Sequence, residues 1–336
     1  MDQIVNVAVN YPLYQTFDYL VPSELGKATV GGRVLVPFGK KTVIGVVVKR
    51  EKRLARDKTN YTLKPIKNII DQYSVINSEM MKVCLWASDY YEYPLGQVIF
   101  GALPSQVKRG IAIKDIKIFE DQCHITSSEK MIFNLNHEQN SIFKKILRKI
   151  ESFSTSLIYG VTGSGKTEIY VKLAEEVIKK DKQVLIIVPE INLTPQTISR
   201  FRIYIDKNIQ SYHSGQTLKE KMTTWLDVQN KKVDIIIGTR SSIFLPFKSL
   251  GLIIIDEEHD ASLKQQEKFR YHARDLSIIR ARNLNIPIVI GSATPSFESL
   301  YNSQLDKYKK YNLTKRYYKT DLPSVTLVDL NKDLPD

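Results

Sequence analysis

The sequence predicts an α/β protein, a doubly wound parallel P-loop lobe preceded by a small β-rich domain. Three observations carry this. Residues 160–167 read Gly-Val-Thr-Gly-Ser-Gly-Lys-Thr, between a short strand-like run and a stretch of helical periodicity. Further along, the apolar run Leu252-Ile253-Ile254-Ile255 leads directly into Asp256-Glu257-Glu258-His259. Beyond residue 135, short continuous apolar runs alternate with helical stretches, as in parallel strands covered on both faces.

Taken in order, the first third reads as strands. Residues 4–9 alternate, Thr16 to Val21 precede a Pro-Ser turn, Gly31-Gly32 lead into 33–37, and 42–48 form a β-branched run after Gly39-Lys40-Lys41. The charged stretch 51–60 reads as a loop. A helix is expected over 78–91, with Ser78 as cap and Met81, Leu85 and Tyr90 among the candidate buried positions. Residues 106–134 contain no convincing long element and read as a linker. The lobe's strands are expected at 156–159, 184–187, 234–237, 252–255 and 287–290, the last followed by Gly291-Ser292-Ala293-Thr294-Pro295. A helix from Lys166 to Lys180 places Ile169, Leu173 and Val177 on one face. A final strand-like run lies at 325–329. The expected division is 1–105 for the β-rich domain, 106–134 for the linker, 135–325 for the lobe and 326–336 for the start of a further connection.

Each residue of the G-x-x-x-x-G-K-T loop has a chemical reason. Gly160, Gly163 and Gly165 let the backbone N–H groups of 160–165, including Val161, Thr162 and Ser164, approach phosphate oxygens at the positive end of a helix. Lys166 reaches the β- and γ-phosphates, and the Thr167 hydroxyl holds Mg²⁺. Asp256, at a strand end, is the second expected Mg²⁺ ligand, and Glu257 is expected to polarise the attacking water. The segments after two other strands, Pro189 to Gln196 and Gly238-Thr239-Arg240-Ser241-Ser242, place N–H groups and hydroxyls where a sugar-phosphate chain can run. Leu135-Asn136-His137-Glu138-Gln139 precedes a basic helix, and the Gln139 amide offers the donor and acceptor that an adenine edge requires.

Composition narrows the partner class. A net charge of +13 suits a protein that meets polyanions. Residues 1–110 hold 15 Lys+Arg against 9 Asp+Glu, so positive charge is denser where no catalytic motif lies. No run of eighteen apolar residues and no basic-then-apolar leader is present, so no membrane partner is expected and the cytoplasm is the expected location. Cys84 and Cys123 lie too far apart in sequence to form a zinc site or a disulfide framework by themselves, and read as small apolar fillers.

Together these segments resemble the superfamily 2 DNA helicases, and within them the bacterial primosomal helicases of replication restart. The resemblance spans nearly the whole chain. It implies a RecA-like first motor lobe using ATP and Mg²⁺, with Gln139 in the adenine-reading motif, Asp256-Glu257-Glu258-His259 as Walker B box, and His259, Ser292 and Thr294 in coupling. Residues 264–275 resemble the aromatic-rich loop that links DNA binding to hydrolysis. There Phe269 and Tyr271 are expected to stack on bases, and Arg270 and Arg274 to meet phosphates. The first third resembles a domain that recognises the 3′ end of a nascent strand, which implies an end pocket formed by Phe17, Asp18, Gly39 and Lys64. In it Asp18 accepts a hydrogen bond from a terminal 3′-OH and repels a phosphodiester.

The resemblance also implies partners: branched and single-stranded DNA, 3′ ends at forks, primosome proteins and single-strand-binding protein. Two departures accompany it. Residues 106–134 are too few for the family's winged-helix domain, since chains below about 40 residues seldom fold alone. The sequence given ends at Asp336, where the family continues into a second lobe, a cysteine-rich zinc insert and a C-terminal domain, so no zinc is expected here. Two classes of function follow: the N-terminal part of an ATP-driven 3′-to-5′ helicase that remodels stalled forks, or a fork-binding fragment or split-enzyme half with little ATPase activity alone. A P-loop kinase or transferase leaves the basic first third and the aromatic-basic loop unexplained.

Overall fold

The computed structural model describes residues 3–52, 63–113, 133–193 and 195–314. The charged stretch past Lys52, most of the expected linker, Cys123, Thr194 and the run at 325–329 lie outside the described residues.

The N-terminal unit is an antiparallel sheet of β1 (Gln3–Val9), β2 (Phe17–Val21), β3 (Arg33–Phe38), β4 (Lys41–Lys52) and the short β5 (Asn68–Ile69), ordered β2-β1-β4-β3-β5. Period-two alternation buries Val5, Val7, Val9, Tyr19, Val21, Val34 and Val36 in one core. A tight turn at Gly39-Lys40 joins β3 to β4, with Gly39 at φ 58° in the left-handed region. Arg33 is fully buried. It forms a bidentate pair with Asp71 (2.5 and 2.8 Å) and donates to the carbonyls of Val107 and Ile111, fastening the sheet to the short helix α3 (Ser105–Lys108).

Helices α1 (Ser78–Tyr90) and α2 (Leu95–Ala102) follow the sheet. The N-cap of α1 is Asn77, whose side chain accepts from the Met80 N–H at 2.8 Å, and Ser78 is the first helical residue. Met81 is buried as expected, but Leu85 and Tyr90 are exposed, because the buried face runs through Met80, Met81, Val83, Cys84 and Ala87. Burial raises the Cys84 thiol to about 12, which suits an inert filler.

The second unit is a seven-stranded parallel sheet: β6 (Ser154–Gly160), β7 (Gln183–Ile187), β8 (Ile209–Tyr212), β9 (Ile235–Gly238), β10 (Leu250–Ile255), β11 (Pro287–Ser292) and β12 (Tyr308–Leu313). Its order is β12-β6-β11-β10-β7-β9-β8. Alternate residues of the central strands feed two cores. Leu157, Leu185, Ile187, Ile253 and Ile288 face one side, and Ile158, Val184, Ile186, Ile254 and Val289 face the other. Around the sheet lie α4 (His137–Leu147), α5 (Lys166–Lys179), α6 (Pro195–Tyr204), α7 (Leu218–Gln229), α8 (Ala273–Leu284) and α9 (Phe297–Gln304). Two strands escape a reading for apolar runs. β8 and β12 are the edges, where polar and lysine side chains face outward, and β12 means that β11 is not the last strand.

The two units share one core. Ala8 and Val46 of the first sheet and Val98 and Ile99 of α2 belong to the same apolar cluster as Trp225, Phe244 and Leu276. Across it, the fully buried Arg280 of α8 forms a bidentate pair with Glu79 of α1 (3.0 and 2.9 Å) and donates to the Leu245 carbonyl at 2.9 Å. Arg280→Met strands Glu79 opposite a methyl group, and removal of one member of such a buried pair costs about 3 kcal/mol. Urea unfolding of the full chain is expected to show that loss.

Candidate nucleotide and DNA site

Parallel strands gather their following loops at one edge, and five of the predicted segments meet there. β6 runs into the glycine loop, β7 into Pro189-Glu190, β9 into Thr239-Arg240, β10 into Asp256-Glu257 and β11 into Ser292-Ala293-Thr294. Val161, Thr162 and Gly163 form the exposed crest of the glycine loop, while Ser164, Gly165 and Lys166 are buried beneath it. Gly165 is the N-cap of α5 in the left-handed region, and a Cβ there would lie 1.9 Å from Gln139 Nε2. The Lys166 ammonium donates to the Gly160 carbonyl at 3.0 Å and lies 3.7 Å from Glu257 Oε1. The Ser164 hydroxyl is buried without a partner.

Asp256 is half-buried and accepts from the Tyr170 hydroxyl at 3.0 Å. Desolvation raises its carboxyl to about 6, Glu257 adding to the rise and Lys166 opposing it. Glu257 adopts φ 47°, a left-handed conformation uncommon for a residue with a side chain. His259 Nδ1 lies 2.8 Å from Ser292 Oγ, which accepts from the Thr294 N–H at 2.9 Å, so the three expected coupling residues form one chain. A hydroxyl at Thr167 and a carboxylate at Asp256 fit Mg²⁺, which keeps several waters and takes its remaining ligands from phosphates. Among the described residues no cluster of three or more His, Cys, Asp or Glu holds a metal by itself.

The Leu-Asn-His-Glu-Gln segment is the start of a helix rather than a prelude to one. Asn136 caps α4 in a reciprocal box with Gln139. Gln139 is fully buried, its amide donating to the Ser164 and Gly165 carbonyls at 3.3 and 3.2 Å, so it braces the phosphate loop from beneath. Its neighbour Glu138 accepts from the N–H and hydroxyl of Thr314, just past β12.

The aromatic-rich segment closes on itself through the Lys264–His272 bridge and a Gln265 N–H to Tyr271 carbonyl bond of 2.8 Å. The structure corrects its expected chemistry. Phe269 and Tyr271 are 7% and 6% exposed and pack on each other, on Phe244 and, for Phe269, on Tyr91 and Tyr93. Their faces are therefore filled by protein and present no stacking platform. Arg270 is exposed, as a phosphate contact requires. Arg274 is buried and donates to Glu258 at 2.9 Å and Ser296 Oγ at 2.7 Å. It therefore holds a carboxylate of the acidic tetrad instead of facing a phosphate.

Glu258 is the residue that sequence reasoning left without a role. It is 1% exposed and also accepts from the Ser296 N–H and from the Ser296 and Ser299 hydroxyls. A third acid in the tetrad was the available signal. Arg240 was another, since it joins three loops by donating to Gln265 Oε1 and the Ser262 carbonyl and lying 4.0 Å from Glu190.

At the far sheet, the edge strand β2 presents Phe17 and the exposed Asp18. Phe17 packs edge-on against Phe38, whose ring also contacts Tyr11, which places it beside the exposed Gly39 turn. Lys64 is exposed on a segment that pairs with β2, its carbonyl accepting from the Leu20 N–H at 3.1 Å. Asn6 and Lys49 join this group. Asn6 donates to Asp18 Oδ1 at 2.8 Å, and the β1 register sets it opposite both Asp18 and Lys49.

A P-loop facing a strand-end acid pair, on a parallel sheet joined to a β-rich unit, defines a nucleotide-driven motor class. Residues 136–303 match the DEAD/DEAH box helicase family, and the chain belongs to it. Residues 6–104 match the 3′ DNA-binding domain (3′BD) family. The chain is similar to Replication restart protein PriA of Haemophilus influenzae, 34% identical over 386 residues, covering 94% of this chain and 52% of that protein. It is 39% identical to the protein of the same name from Rickettsia felis over 316 residues, covering 94% and 46% respectively. The chain thus spans about half the length of the curated relatives it matches. The stretch aligned with the Haemophilus protein exceeds this chain in length, so that relative holds insertions without a counterpart here. Among solved structures, RecG bound to a three-way DNA junction matches with a TM-score of 0.41 and 22% identity over 56% of this chain and 25% of that one.

Arg274→Ala leaves Glu258 buried without its cation. Such a loss costs about 3 kcal/mol and loosens the loops that Glu258 joins. Thermal unfolding is expected to report the destabilisation, while Arg274→Lys restores part of it.

Proposed function

We propose that the chain is the end-binding and first motor part of an ATP-driven 3′-to-5′ DNA helicase that recognises abandoned or stalled forks and prepares them for loading of the replicative helicase. The observation that carries the motor reading is the approach of Glu257 to Lys166 across the carboxyl edge, with Asp256 beside it. In this reading the 160–165 N–H groups and Lys166 bind the phosphate tail. Thr167 and Asp256 hold Mg²⁺, which when bound offsets phosphate charge. Glu257 orients the attacking water, and the proximity of His259 to Ser292 carries the change toward Thr294. Gln139, braced against the loop, turns its amide toward adenine only when that bracing is exchanged for base contacts.

The same reading gives Phe17, Asp18, Gly39 and Lys64 the nascent 3′ end, and Arg270 a phosphate. Asn6 and Lys49 belong with them, Lys49 as a phosphate contact. Primosome proteins and single-strand-binding protein are the proposed protein partners, and the cytoplasm the proposed location.

The purified chain is expected to bind Mg-ATP through the glycine loop and Lys166. Turnover stimulated by forked DNA and well above that of Lys166→Ala supports the motor. Equality with that variant at all DNA concentrations reduces the chain to a fork-binding fragment or one half of a split enzyme.

Asp18→Ala is expected to weaken binding to forks with a free 3′-OH by roughly tenfold, the value of one lost hydrogen bond to a charged group. Blunt duplex binding should be spared, and binding should fall steeply with salt. Equal loss on both substrates in a fluorescence-anisotropy titration removes the end-pocket assignment.

A further inference from the structure

Nucleotide chemistry supplies no role for Gly291 of Gly-Ser-Ala-Thr-Pro, and its surroundings give one. Its backbone is not in the left-handed region, so conformation does not demand glycine. Space does. A Cβ at 291 would lie 1.7 Å from the Tyr170 hydroxyl oxygen, 3.0 Å from Tyr170 Cζ and 3.1 Å from Asp256 Oδ1. Tyr170 is 1% exposed and stands one turn after Lys166 on α5, and its hydroxyl donates to Asp256 Oδ1 at 3.0 Å. One helix thus carries the phosphate lysine and a hydroxyl directed at the strand-end acid, and β11 leaves the space that hydroxyl occupies.

We propose that Tyr170 is a positioning residue for Asp256, its hydroxyl fixing the carboxylate orientation that Mg²⁺-nucleotide requires and reaching it only because position 291 has no side chain. The inference rests on the reading of Asp256 as a Mg²⁺ ligand. A carboxylate at a strand end rotates about its terminal torsion over a broad, two-fold well. Mg²⁺ demands near-ideal octahedral geometry, whereas Ca²⁺ accepts variable, flexible shells. Loss of the hydroxyl therefore penalises Mg²⁺ more than Ca²⁺. A hydroxyl that only filled space would affect stability and leave the metal preference unchanged.

The test uses the full chain, a fluorescent ATP analogue at fixed concentration, and titrations of MgCl₂ or CaCl₂ after chelator treatment. Tyr170→Phe keeps the ring and removes one oxygen. It is expected to raise the Mg²⁺ half-saturation roughly three- to tenfold, to move that of Ca²⁺ clearly less, and to leave metal-free analogue binding unchanged. Gly291→Ala, which pushes on the same hydroxyl, is expected to shift Mg²⁺ dependence in the same direction. Combining it with Tyr170→Phe should give less than the product of the two effects, because the atom that meets the new methyl is gone.

A Tyr170→Phe protein whose Mg²⁺ half-saturation stays within about twofold of the parent, less than the loss of one ordinary hydrogen bond predicts, overturns the proposal. So do equal shifts for both metals. If Gly291→Ala does not fold, Tyr170→Phe alone decides. Absence of any metal-dependent binding by the parent chain overturns the nucleotide reading and this inference with it, whereas an unshifted Tyr170→Phe overturns the inference alone.

Discussion

The buried carboxylate of Glu258 is the contact on which the site's architecture depends. An ionised acid removed from water is tolerated only with a cation and a full set of donors. Glu258 obtains these from Arg274, the Ser296 N–H and hydroxyl, and Ser299. Those partners come from the start of α8 and the start of α9, so a single carboxylate holds the loop after β10 against the aromatic-rich segment and the segment after β11. Glu257 and His259 flank it in sequence. Their approach to Lys166 and Ser292 is set by where Glu258 is anchored.

The N-terminal unit reaches this network through side chains of the described residues. Tyr91 accepts from the His272 N–H at 3.1 Å, and Tyr91 and Tyr93 close over Phe269. Burial raises the Tyr91 hydroxyl to about 12, so it stays protonated. Two residues past His272 stands Arg274. The unit matched to a 3′ DNA-binding domain is therefore in continuous contact with the acid tetrad, by way of α1, the aromatic-rich segment and Glu258.

What was legible in the sequence follows from how local each signal is. The glycine loop, the acid tetrad and the buried central strands announce themselves because their chemistry lies within a few consecutive residues and both strand faces are apolar. β8 and β12 did not, because β8 carries half-buried Gln and Ser, and β12 mixes exposed Lys and Asn with its buried positions. The aromatic-rich segment was misread for a different reason. Phe269 and Tyr271 beside arginines look alike whether the rings face bases or a core, and the deciding neighbours Tyr91 and Tyr93 sit in the other unit. Arg274 was misread likewise, because Glu258 had no assigned partner until the fold brought them together.

The attachment of Thr314 to Glu138 has a mechanical consequence. The chain leaves β12 through a residue whose amide and hydroxyl are both held by the second residue of α4. Gln139, the next residue of that turn, supports the glycine loop. A pull at Thr314 is therefore shared between β12, which pairs with β6 up to Leu313 and Gly160, and the α4 turn that floors the phosphate cradle.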